Sequence, residues 1–135
     1  MIRGVLALAL LSHPAIAADL VLNVSSYHFD RSRDLNERNP GIGIRASDWN
    51  IGYYLNSHKH YSAYALRSYL RGDDVQYGVF AGGVTGYEYA AIVPSFGAQL
   101  LARYGDYGLN LMVVPSVPGV SDGFVGMQLI YRLPN

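Results

Sequence analysis

The chain has 135 residues, with ten acidic and ten basic side chains and no cysteine. The missing cysteines exclude disulfide bonds, thiol chemistry and a cysteine-built zinc site. The balanced charge provides no overall field that would attract nucleic acid, so no nucleic-acid partner is expected. The 12 tyrosines outnumber the four phenylalanines and one tryptophan. Tyrosine is common both at membrane–water interfaces and on exposed binding surfaces, so its abundance does not distinguish a membrane protein from a soluble binding protein.

Residues 1–17 are predicted to be a cleavable signal peptide. Arg3 supplies a positive charge, residues 4–11 form an apolar run, and Ala15-Ile16-Ala17 is a small-x-small cleavage site. The apolar run is much shorter than the ~20 residues of a membrane-spanning helix. The remaining residues, 18–135, are predicted to form a single domain.

Turn-forming clusters divide this domain into eight short apolar segments. The predicted strands are residues 20–29, 41–47, 50–56, 61–70, 75–86, 92–104, 108–115 and 123–133. The breaks alternate between long and short: the long ones are 30–39, 57–60, 86–91 and 115–123, and the short ones are 47–49, 71–74 and 105–108. This alternation is typical of small outer-membrane barrels. It predicts an all-β fold, an eight-stranded antiparallel up-and-down transmembrane β-barrel, with a soluble lipocalin-like barrel or sandwich as the alternative.

Alternating residues assign two faces to each strand. In the last strand one face carries glycine, a glutamine and Arg132, and the other is apolar. We expect the small residues to point inward, because the interior of an eight-stranded barrel is narrow. By that rule Ala63, Ala65 and Arg67 of the fourth strand are predicted to face inward, and Tyr64 and Leu66 outward.

The loop pattern also predicts the direction of each strand. If the short turns are periplasmic, both chain ends lie in the periplasm and all the long loops lie outside. His28, at the end of the first strand, and Asn56-Ser57, at the end of the third, then share the outer end of the barrel. A histidine near a serine permits general-base activation of a hydroxyl group. The alternative is that His28 is a solvated interface residue.

Other polar residues of the outer loops suggest less specific chemistry. His58 and His60 are two residues apart with no carboxylate nearby in sequence, so no metal site is predicted. The charged segment 30–38 is either a solvated loop or a surface that meets lipid phosphates through Arg31, Arg33 and Arg38. No metal or other cofactor is expected.

Two prolines lie at the outer ends of neighbouring predicted strands. Pro94 belongs to the sixth strand and Pro115 to the seventh. Because proline has no N–H to donate to a sheet, the strand pair is predicted to be poorly hydrogen-bonded at that end. One interpretation is a lateral opening through which a lipid chain enters the barrel. The other is that Pro94 begins its strand and Pro115 ends its strand, both ordinary positions for proline.

An ordered set of short segments resembles a known family, the phospholipid:lipid A palmitoyltransferases of the PagP type. The similarity covers about residues 27–133, and the ordered set, rather than any one motif, carries it. The matching segments are Tyr27-His28, Asn36-Glu37-Arg38-Asn39-Pro40, Gly41-Ile42-Gly43-Ile44, Asn56-Ser57, Ala81-Gly82-Gly83-Val84-Thr85, Pro94 and Val114-Pro115.

The resemblance implies a monomeric outer-membrane barrel that moves a palmitoyl chain from a phospholipid to a hydroxyl of lipid A. His28 would be the general base. Ser57 would be a hydroxyl partner, either as a covalent nucleophile or as a group that orients the ester. The family's lateral opening lies between prolines that correspond to Pro94 and Pro115.

The sequence departs from the family at three points. Asn56 stands where the family has an aspartate, so it can orient His28 but cannot supply the charge. The family's N-terminal amphipathic helix is missing, and the loops are shorter. In the family a small residue on the barrel floor sets acyl-chain length, and its candidates in this sequence are Ala63, Ala65 and Ser68. The leading hypothesis is therefore a lipid A palmitoyltransferase-like enzyme. The alternatives are a non-catalytic barrel that binds lipid or another apolar ligand, and a structural or adhesion barrel.

Overall fold

The structure is a computed structural model that describes residues 17–30, 32, 34–87, 90–119 and 121–134. The predicted signal peptide lies outside these residues except for Ala17. Arg31 and Arg33, two of the three arginines proposed to meet lipid phosphates, also lie outside them.

Eight antiparallel strands form one closed barrel. The strands are β1 (Ala18–His28), β2 (Arg38–Ala46), β3 (Trp49–Leu55), β4 (Tyr61–Arg71), β5 (Val75–Val84), β6 (Val93–Tyr104), β7 (Tyr107–Val114) and β8 (Phe124–Arg132). Each strand pairs with the next in sequence, and β8 pairs with β1. The predicted fold class and strand order are confirmed.

The connections alternate in length as predicted. Ser47 and Asp48 form a two-residue turn with φ of 50° and 69°, the left-handed backbone that a tight type I′ hairpin requires. Gly72, with φ of 113°, and Gly105, with φ of 62°, bend the other two short turns. The four longer connections all lie at the opposite end of the barrel, which we call the loop end. We call the other end, which carries the three short turns, the start of β1 and the end of β8, the turn end.

The outer wall of the barrel is apolar and has aromatic residues at both ends. Exposed aliphatic side chains cover its middle: Leu22, Ile42, Ile44, Ile51, Val79, Leu100, Val113 and Leu129. Exposed aromatic residues at the turn end are Trp49, Tyr69, Tyr77, Tyr104, Tyr107 and Tyr131, and those at the loop end are Tyr27, Phe29, Tyr53 and Tyr61. An apolar band between two aromatic girdles is the surface of a membrane barrel. The described residues contain no helix long and apolar enough to cross a membrane.

The predicted inward face is confirmed in β8, where Gln128 is buried, and β6 buries Gln99 and Leu101 in the same alternating way. In β4 the prediction is wrong. Tyr64, Leu66 and Ser68 are buried, while Ala63, Ala65 and Arg67 lie on the outer face. Of the three residues proposed to set acyl-chain length, only Ser68 therefore faces the interior.

The reversal in β4 has a steric cause. A Cβ added to Gly43 or Gly52 would lie 2.7 or 2.5 Å from the Tyr64 hydroxyl, so glycines of β2 and β3 make the space that Tyr64 fills. Arg67 instead lies outside, with its guanidinium 5.9 Å from the ring centre of Trp49 and 5.5 Å from that of Tyr69. Such cation–π contacts suit an arginine at the membrane interface.

The interior has three layers. At the turn end, the Asp19 carboxylate lies between Arg103 and Arg45. Above it, a chain of hydrogen bonds crosses the barrel through Ser68, Gln99, Asn110, Gln128, Asn50, Asn23 and Tyr64. Towards the loop end, a cluster of apolar side chains includes Leu66, Phe80, Val84, Met112 and Val114. The two polar layers thus fill the interior between the turn end and the apolar cluster with hydrogen-bonded and paired side chains.

Candidate functional site

A cavity of about 80 Å³ lies between the side chains of the apolar cluster and the loop end of the barrel, and the cluster lines part of it. His28 and Ser57 both line it, together with Tyr54, Leu66, Met112 and Phe124. The fold therefore brings together two of the three predicted catalytic residues. Of the described residues that line the cavity, His28 is the only one that is an Asp, Glu, Lys, Arg or His.

A bulge in β1 turns His28 into the barrel. Asn23 faces the interior, and simple alternation from it would place Tyr27 inside and His28 outside. The register of β1 with β8 shifts between Asn23 and Ser25. After the shift His28 is 3% exposed and Tyr27 is 56% exposed. One extra residue has redirected the side chains, as bulges beside functional sites often do.

Glu37 is the acidic residue that contacts His28. Its Oε2 accepts the backbone N–H of His28 at 2.7 Å and lies 3.5 Å from Nδ1 of the imidazole. On another side, the ring of Phe124 lies 5.4 Å from that of His28, centre to centre. From the sequence, Glu37 belongs to a charged loop and to one of the segments that match the family, and no contact with His28 is predicted for it. The available signal is that Glu37 immediately precedes β2, the strand that pairs with β1.

Asn56 is completely buried, but it does not line the cavity. Its Nδ2 donates to Ser62 Oγ and to the carbonyl oxygen of Gly86, each at 3.0 Å. Its Oδ1 accepts the backbone N–H groups of His58 at 2.8 Å and His60 at 3.1 Å. The amide thus uses both its donor and its acceptor to hold the β3–β4 loop in shape.

Ser57 is held beside the first two strands by backbone contacts. Its carbonyl oxygen accepts the N–H of Asn36 at 2.9 Å. Asn39 Nδ2 donates to the carbonyl oxygen of Leu55 at 3.0 Å, and Ser26 Oγ donates to Asn39 Oδ1 at 2.6 Å. These bonds join the loop-end termini of β1, β2 and β3, so the strand that carries His28 and the loop that carries Ser57 are held in one unit.

The sheet is incomplete between β6 and β7. Pairing of these strands ends at Ala98 and Val113, so within the described residues 93–97 of β6 pair only with β5. Pro94 lies in this unpaired edge, and Pro115 follows the last residue of β7. A smaller cavity of about 40 Å³ touches Pro94 and also Ser57. We call this unpaired stretch of β6 and the end of β7 the gap between β6 and β7. It lies next to the cavity that His28 and Ser57 line.

The loop after β7 folds on itself. Val117 and Ser121 exchange backbone hydrogen bonds of 3.0 Å, and Ser121 Oγ donates to the carbonyl oxygen of Pro115 at 2.6 Å. Phe29 N–H donates to the carbonyl oxygen of Gly123 at 3.0 Å, which ties the end of this loop to β1. Ser121 and Asp122 of this loop also line the small cavity that touches Pro94, so the loop extends from β1 to the unpaired edge of β6.

The loop histidines do not form a metal site in the part of the chain that the structure describes. No group of three or more His, Cys, Asp or Glu side chains there could hold a metal ion. His58 Nε2 instead lies 3.8 Å from Asp122 Oδ2, and its ring packs edge-on against Tyr87 at 5.4 Å between ring centres. His58 therefore links three of the outer loops.

Replacing Asn56 with aspartate is expected to destabilise the barrel by about 1–3 kcal/mol. A carboxylate has no donor for the carbonyl oxygen of Gly86 and would bring a negative charge to within about 3 Å of it. Unfolding in urea, with the barrel in lipid vesicles, measures the change. Lys59→Gln alters an exposed charge in the same loop and is the control. An Asn56→Asp barrel as stable as the unmodified one would contradict the assignment of Asn56 as a loop-stabilising residue.

These features define a class of protein, the eight-stranded transmembrane-type β-barrel with a closed interior. A solved structure described as "De novo design of transmembrane beta-barrels" is similar, with a TM-score of 0.62 and 18% sequence identity. The alignment covers 90% of this chain and 98% of that chain. The likeness concerns the fold. No protein-family model matches the chain, and no curated protein matches it.

Proposed function

We propose that this protein is an outer-membrane acyltransferase that moves an acyl chain from a phospholipid to a hydroxyl of lipid A. The observation that carries the proposal is that His28 and Ser57 line one largely apolar cavity beside a gap in the barrel wall. The ordered resemblance to the palmitoyltransferases of the PagP type supplies the donor and the acceptor.

The reaction needs one base and one ester. The imidazole of His28 accepts the proton of the attacking hydroxyl, whose oxygen forms a new bond to the carbonyl carbon of the donor ester. The bond from that carbon to the glycerol oxygen then breaks, and the protonated imidazole returns its proton to the departing lysophospholipid. The attacking hydroxyl is either the acceptor's own, with Ser57 orienting the ester, or that of Ser57, with a second transfer to the acceptor.

The gap between β6 and β7 is the proposed entrance for the acyl chain. Backbone groups without partners are costly in lipid unless something covers them. Pro94 lowers that cost on β6 because it has no N–H, and Ser121 and Asp122 of the loop after Pro115 line the small cavity beside this edge. A donor in the membrane can thus enter sideways, with its ester near Ser57.

The cavity favours a chain shorter than palmitoyl. Its volume of about 80 Å³ corresponds to roughly five to eight water-sized groups, at about 10–15 Å³ for each. Below it, the polar layer from Asn23 to Gln128 offers an acyl chain no apolar surface. Met112, which is flexible and lines the cavity, is the residue best able to move for a longer chain.

The membrane-barrel surface and the predicted signal peptide support export to an outer membrane and action as a monomer. The apolar cavity, closed below, favours one other candidate, a non-catalytic barrel that binds a lipid or another apolar ligand. The two candidates differ in whether His28 is required for a change in lipid structure.

Expression of the chain in an outer membrane is expected to produce a lipid A species heavier by one acyl chain, detected by mass spectrometry. His28→Ala should reduce the rate by about 10²–10⁴-fold, the usual contribution of a general base. Ser57→Ala should reduce it as well. His58→Ala is the control, because His58 lies at the same end of the barrel but pairs with Asp122. No added mass from a correctly inserted barrel would exclude this reaction.

A further inference from the structure

The position of Glu37 bears directly on the missing aspartate at residue 56. Glu37 lies just before β2, and its backbone carbonyl accepts the N–H of Ser26 at 3.0 Å, so it is held against β1 at the level of His28. One oxygen of its carboxylate faces both the backbone and the ring of His28. His28 is almost fully buried, whereas the Glu37 side chain is 30% exposed.

The described surroundings of His28 are mostly uncharged. Phe124 of β8 packs against the ring, and the described residues that line the cavity include no carboxylate, lysine or arginine. Asn56, the residue aligned with the family's aspartate, uses its amide on Ser62, Gly86 and the loop backbone. Within the part of the chain that the structure describes, Glu37 is therefore the carboxylate that faces the imidazole.

We propose that Glu37 is the positioning residue of His28. Its carboxylate holds the proton of the imidazole on Nδ1 and leaves Nε2 as the base, because the hydrogen bond of one ring nitrogen decides the state of the other. It also stabilises the imidazolium that forms when the base accepts a proton. The Nδ1–Oε2 separation of 3.5 Å is of the length that catalytic hydrogen bonds often have before substrate binds.

The kinetic part of the test rests on the proposed acyl transfer. Glu37→Gln keeps an oxygen for the backbone N–H of His28 but removes the charge. It is expected to lower kcat by about 10²-fold, at the low end of the contribution of a general base, with KM unchanged. Glu37→Asp, which restores the charge on a shorter side chain, should recover part of the activity. Asp34→Asn removes an exposed charge from the same loop and should change nothing.

The second part of the test needs no activity. Imidazole ¹⁵N NMR of the folded barrel in detergent reports which nitrogen of His28 carries the proton. The unmodified barrel should show the proton on Nδ1, and Glu37→Leu, which removes the acceptor, should move the population towards Nε2–H. If the unmodified protein transfers no acyl chain, the proposed function fails, and this measurement still tests the role of Glu37. An unchanged tautomer in Glu37→Leu, or full activity in Glu37→Gln, would overturn the inference.

Discussion

Replacement of Asp19 with asparagine is expected to lower the free energy of unfolding by about 3–5 kcal/mol, the effect of removing one partner of a buried ion pair. Arg103 binds this carboxylate with both terminal nitrogens, at 3.2 Å and 2.5 Å, and Arg45 lies 3.7 Å away. The Asp19 side chain is only 8% exposed. Without it, two arginines would face each other inside the turn end of the barrel with no negative charge between them.

Unfolding in urea, with the barrel in lipid vesicles, measures this loss. Asp73→Asn removes an exposed carboxylate from a turn at the same end and should leave stability unchanged. The double variant Asp19→Asn/Arg103→Gln should lose less stability than the two single variants lose together. In Asp19→Asn the charge of Arg103 is left unpaired, and in the double variant that charge is removed as well. An Asp19→Asn barrel of unaltered stability would mean that water solvates Arg45 and Arg103 well enough to replace the carboxylate.

Closure of the gap between β6 and β7 is expected to abolish acyl transfer. The chain has no cysteine, so cysteines placed at Phe96 and Pro115 can be joined by a short reducible cross-linker without competing thiols. Continuing the register past Ala98 and Val113 places these two positions opposite each other. The cross-link would fasten the edge of β6 to the end of β7 and block entry from the membrane.

Activity should return when a reductant removes the cross-link. Leu100→Cys with Leu111→Cys is the matched control, since these residues are already paired in the β6–β7 ladder. The control cross-link should leave the rate unchanged. Undiminished transfer with the gap closed would show that lipid enters elsewhere, and lost transfer that does not recover on reduction would point to damage by the substitutions.

Much of the architecture was predictable from local patterns. The eight strands, their order and the alternation of long and short connections follow from turn residues such as Ser47, Asp48 and Gly105, whose preferences act over a few residues. The same alternation of long and short connections predicted that His28, Ser57 and Pro94 lie at one end of the barrel. The resemblance to a known family suggested acyl transfer as the chemistry of that arrangement. The acyl transfer stays a proposal.

The direction of individual side chains was less predictable. Alternation defines two faces of a strand but does not say which one points inward. In β4 the inward face is set by Gly43 and Gly52 of β2 and β3, because these glycines leave space for the side chain of Tyr64. In β1 it came from a bulge after Asn23, a shift in pairing that no local pattern announced.

The sequence by itself determined a closed sheet of eight strands, and it predicted that His28 and Ser57 share the loop end, because strand and turn preferences are local. Only the tertiary structure decided that His28 points inward, that Glu37 is its acidic neighbour and that Asn56 stabilises a loop. Each of these depends on contacts between segments that are distant along the chain or are brought together by pairing register. Such contacts arise only when the sheet closes, since the positions of all eight strands then follow from one another.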